Sequence, residues 1–110
     1  MATTKTVLLA IFALGLLACQ PPEPPTHEEL EFRCNTGCGH LESIGCPSEN
    51  CYDACLGTVA DAEREGCTIE AEEIMDCAEA QPDEVRCDQD RTNAACIDEV
   101  NAFLNCQSAE

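Results

Sequence analysis

Positive charge is nearly missing from this sequence. Only 5 of its 110 residues are Lys or Arg, against 22 Asp and Glu, for a formal net charge of -17. The single lysine is Lys5, and Arg33, Arg64, Arg86 and Arg91 make up the rest. A surface that neutralises phosphates needs clustered cations, so nucleic acid is excluded as a partner. A basic protein or divalent cations stay open, and a heavily solvated surface accounts for the same charge.

Large apolar residues are scarce too. From residue 19 onward, Leu, Ile, Val and Phe number 13 in 92 residues. Together with the negative charge, that composition belongs with chains too polar to bury a core. No apolar run spans a bilayer: the eleven residues 7–17 rise only about 16 Å as a helix. Histidine is limited to His27 and His40, both expected to be solvated. His40 stands near Glu42 and Ser43, but neighbours in sequence do not make a nucleophilic triad. No carboxylate pair is singled out for acid and base roles. There is no Cys-x-x-Cys redox pair. These absences point away from an enzyme, and no cofactor is called for.

What is abundant is cysteine. Cys34, Cys38, Cys46, Cys51, Cys55, Cys67, Cys77, Cys87, Cys96 and Cys106 form an even set of ten, and Cys19 stands apart. Crosslinks cut the entropy of the unfolded chain, so a thin core becomes workable. The expected fold is therefore all-α: a small disulfide-rich domain of about four short helices arranged as two stapled antiparallel hairpins.

The periodicities place the helices. Over residues 28–41, Leu30, Cys34, Cys38 and Leu41 recur at helical spacing, with Thr26 as cap. The Gly45-Cys46-Pro47 segment ends that run. Ser48 is the expected cap of the next helix, which carries Cys51, Cys55 and Val59 on one face and stops at Gly66. Thr68 is placed to cap a third helix over residues 69–80, ended by Gln81-Pro82, with a short turn over 83–87. A last helix is expected over 92–106, capped by Asp90 or Thr92, with Cys96, Val100 and Phe103 on one face. Phe32 falls off the Leu30–Cys34 stripe and is expected to pack on the second hairpin. Phe32 and Tyr52 are the candidates for a binding face.

If the first two helices are antiparallel, Cys34 meets Cys55 and Cys38 meets Cys51. In the second half the matching Cys-x9-Cys spans align Cys67 with Cys106 and Cys77 with Cys96. Cys46 and Cys87 remain, and a bridge between them would tie the hairpins together. Spacing alone does not single out this scheme among the many that ten cysteines allow. The second half resembles, in geometry, the twin Cys-x9-Cys helical hairpins of small intermembrane-space proteins. An alternative use of the same sulfurs is metal binding. Cys34, Cys38, Cys51 and Cys55 on facing helices could hold zinc or copper(I) as thiolates. Asp88, Asp90, Thr92 and Glu99 match part of a calcium loop, although Asn93 stands at its glycine position.

The N-terminus reads as a leader over residues 1–18: a tip carrying Lys5, an apolar segment, then a small residue. Leu16-Leu17-Ala18-Cys19 resembles the lipobox of bacterial lipoproteins, with Leu17 where that family prefers a smaller residue. The resemblance implies cleavage before Cys19 and a diacylglycerol on its thiol, with palmitate among the acyl chains. It also implies attachment to the bacterial outer membrane, because Gln20 rather than Asp follows the cysteine. Residues 19–27 then form a lipidated, Pro-rich spacer, extended by its four prolines. Residues 28–110 form the acidic domain. The function expected is a membrane-anchored structural or protein-interaction module, whose partners are the lipid bilayer and an unidentified protein.

Overall fold

The computed structural model describes residues 23–109, and among these all regular structure is helical. The leader, Cys19 and the first part of the spacer lie outside the described residues. Six helices follow one another: α1 (His27–Ser43), α2 (Cys51–Glu65), α3 (Thr68–Glu79), α4 (Asp83–Arg86), α5 (Gln89–Ala95) and α6 (Ile97–Ser108). The four long ones pair as α1 with α2 and α3 with α6, and α2 packs on α3 between the pairs. The short α4 and α5 form the connection from α3 to α6.

Helix α1 begins where the Thr26 hydroxyl accepts the Glu29 amide at 3.2 Å, with Glu28 and Glu29 in its first turn. It starts at His27, one residue ahead of the expected spacer boundary. Both α1 and α2 end in the same Gly-Cys device. After α1, the amide of Gly45 (φ 82°) donates to the Glu42 carbonyl and that of Cys46 to Leu41. After α2, Gly66 (φ 71°) donates to Glu63 and Cys67 to Ala62 at 2.8 Å. Each is a Schellman closure, which needs a left-handed residue and favours an apolar contact just beyond it. Cys67 meets that need by packing with Ala62 in one buried cluster.

Three expected caps are corrected. Ser48 does not cap α2: its carbonyl accepts the Cys51 amide, and the helix begins at Cys51 after Asn50, whose side chain makes no cap bond. Thr68 is the first residue of α3, not its cap, because Cys67 leads straight from the α2 closure into the next helix. The expected last helix is two helices. The Asp88 carboxylate accepts the Asp90 and Arg91 amides, so the start moves back to Gln89. The axis then breaks at Cys96 (φ -110°, ψ 30°), which is wholly buried.

Two small buried clusters make the core. Leu30, Cys34 and Val59 form one, between α1 and α2. Ala62, Cys67, Ala71 and Phe103 form the other, where α2, α3 and α6 meet. Phe32 does not join either: it is 66% exposed. Two residues on from Leu30 it lies about 200° round the helix, on the side away from α2.

Candidate binding groove and its surroundings

The ten cysteines of the domain meet as five bridges. Cys34–Cys55 and Cys38–Cys51 staple α1 to α2, with Cα separations of 5.7 and 5.8 Å. Cys67–Cys106 and Cys77–Cys96 join the second half, at 6.0 and 5.9 Å. Cys46–Cys87 links the end of α1 to the end of α4 at 5.2 Å. All five separations fall in the ordinary range for disulfides.

This last link draws α4 and α5 over the open side of the first hairpin and leaves a groove of about 350 Å³. Its walls are largely apolar: Leu41 and the two staples from the hairpin, Pro47 from the loop, Ile74 and Met75 from α3. Gly37 also lines it, and a Cβ added there would meet nothing within 4 Å. Arg33, Glu79, Arg86, Gln89 and Thr92 supply the polar part. Two of the chain's four domain arginines therefore face one groove.

The two arginines are not in the same state. Arg33 is held by three carboxylates of α3. Its guanidinium reaches Glu79, Asp76 at 2.8 Å and Glu72 at 3.9 Å. Burial of the group works against its charge, but the hydrogen bonds it donates to Glu79 and Asp76 outweigh it and hold the pKa above the ordinary value. Glu72, Asp76 and Glu79 fall four and three apart, so they share one stripe of α3. That stripe was the available signal for this clamp. Arg86, half-buried at the end of α4, makes no ion pair or hydrogen bond through its side chain among the described residues.

The histidines also bridge elements. His27 Nδ1 lies 2.7 Å from Glu63 on α2 and its Nε2 3.3 Å from Glu31. His40 Nε2 lies 2.9 Å from Asp83 at the start of α4. Both were expected to be solvated; their side chains are 56% and 41% exposed, and each also ties α1 to a distant segment. Tyr52 is partly exposed at the start of α2.

Among the described residues, three metal-ligating atoms come within 4.8 Å of one another in one place: Cys77, Cys96 and Glu99. Cys34, Cys38, Cys51 and Cys55 do not form such a group; their sulfurs are tied in two separate rungs a helical turn apart. The partial calcium loop does not form either. Residues 89–95 are helical, Asp88 is a cap, and the Thr92 hydroxyl donates to the Val85 carbonyl at 2.8 Å. A calcium loop instead needs its backbone free to wrap the ion.

The fold and these bridges define a class: a small all-α domain held by disulfide staples. No family model, curated protein or solved structure matches the chain. No helix among the described residues is long and apolar enough to cross a membrane.

Proposed function

We propose that this chain is an exported lipoprotein, anchored by Cys19 to the bacterial outer membrane, whose acidic domain acts by binding protein and not by catalysis. The observation that carries the reading is the cysteine arithmetic. Ten of the eleven cysteines meet in pairs, which leaves Cys19 as the thiol for a lipid. Five bridges in so small a domain suit an oxidising, exported setting. In this reading the spacer over 19–27 holds the domain off the bilayer and the anchor is the lipid.

The ring nitrogens of both histidines meet carboxylates, which favours a scaffold role for them. With 22 acidic side chains, the surface is complementary to a basic protein. Intact mass of the membrane-extracted protein, taken before and after reduction and alkylation alongside metal analysis, tests the proposal. The expected result is a diacylglycerol-modified N-terminal Cys19, ten masked cysteines and no stoichiometric metal. An unmodified Cys19 removes the anchor. Several free thiols with bound zinc or copper replace the module with a thiolate metal site.

A further inference from the structure

We propose that the groove between the first hairpin and the α3–α5 segment binds a medium-chain aliphatic monocarboxylate, its chain along Leu41, Ile74 and Met75 and its carboxylate on Arg86. The argument starts from the guanidinium. Arginine stays charged in any protein, and a partly desolvated charge without a partner is unfavourable. This chain has 22 carboxylates, and Arg33 alone takes three of them, yet among the described residues Arg86 has none. Among the described residues, the strong cationic donor left open therefore lines the same groove as Leu41, Ile74 and Met75. An anion with an apolar tail satisfies both halves.

Size and charge narrow the class. A space of about 350 Å³ sits at the lower end of small-molecule sites. It suits a single aliphatic chain better than a bulky polycyclic ligand, because the volume is small and the groove is open along one side. A guanidinium matches a carboxylate with two parallel hydrogen bonds. A phosphate dianion would meet Glu79 on the same groove and the field of a strongly acidic domain. Gly37 keeps the hairpin wall low, since no side chain fills the space its Cβ would occupy. This inference concerns the domain alone and does not require the lipid anchor.

Calorimetric titration of the disulfide-intact mature protein with sodium dodecanoate, below its micelle concentration, tests it. Saturable one-to-one binding is expected. Arg86→Gln should weaken it by about tenfold or more, the usual effect of losing a charge-assisted pair. Gly37→Leu should block binding while keeping the helix, because the position is open. Dodecanol should bind distinctly more weakly than dodecanoate. Absence of saturable binding overturns the proposal, as does equal affinity for the alcohol. So does parental affinity in either variant. Circular dichroism and a free-thiol count verify each fold, and Gly37→Leu decides alone if Arg86→Gln does not fold.

Discussion

At the scale of single residues, His27 shows how a surface side chain becomes part of the scaffold. It opens α1 and grips Glu63 at the far end of α2, 36 residues away. The Glu63 hydrogen bond and charge, aided by Glu31, raise its pKa above the ordinary value. A histidine with a raised folded-state pKa adds stability that is complete below its unfolded value, near 6.5, and lost as pH rises through the folded value. Denaturant unfolding of the parent and His27→Gln across about pH 5 to 8.5 should therefore show the largest difference at the acid end. The two curves should converge in mild alkali. A constant gap would mean that the ion pairs do nothing. No local pattern could reveal this contact, because Glu63 is one of 22 similar acids and only the hairpin brings it to His27. Arg86 escaped for the same reason, since its groove is assembled from α1 to α5, while for Arg33 the α3 stripe showed the acids but not the cation they would hold.

At the scale of helices, the signals that worked were those complete within a few residues. Thr26 and Glu29 form a cap by themselves, and Gly66 stops α2 because a left-handed residue is needed there. The periodic cysteines located α1 and α2, whereas the region of α3 and α6 was found from caps, breakers and inward apolar positions. The signals that failed were those decided by neighbours. Ser48 stands in a proper cap position, but α2 starts at Cys51, which is held to Cys38. Thr92 looked like a helix start, yet its hydroxyl is used by Val85, and Asp88 takes the cap. The helices also tolerate Gly39 and Gly57 in their interiors, with open space around each missing Cβ. Glycine inside a helix costs roughly 0.5–1 kcal/mol relative to alanine. Gly57→Ala should thus stabilise the domain by about that amount, read as a higher urea midpoint at unchanged slope. An unchanged or lower midpoint would show that α2 is so fixed by its two staples that local propensity no longer counts.

At the scale of the whole domain, disulfides take the place of a core. Among the described residues nine apolar ones are buried, four of them cysteines, and only Leu30, Val59 and Phe103 of these are large aliphatic or aromatic side chains. Such clusters are too small to order the chain alone. The bridges do not contribute equally. Cys38–Cys51 closes 13 residues and Cys46–Cys87 closes 41. Chain entropy then gives about 3 kcal/mol for the first and about 4 for the second. Cys46–Cys87 also joins the two halves and sets one wall of the groove, so its loss should reach further than its loop size suggests. The double variant Cys46→Ala/Cys87→Ala should lower the unfolding free energy more than Cys38→Ala/Cys51→Ala. It should also raise hydrogen exchange in α4 and α5 before the α1–α2 hairpin is affected. Full reduction should abolish the cooperative transition, because the thin core then faces the full entropy of the open chain. A reduced protein that still melts cooperatively near the oxidised midpoint would show that the helix contacts suffice. Uniform protection loss in the Cys46/Cys87 variant would show that the halves fold as one unit, with the bridge acting only on the unfolded chain.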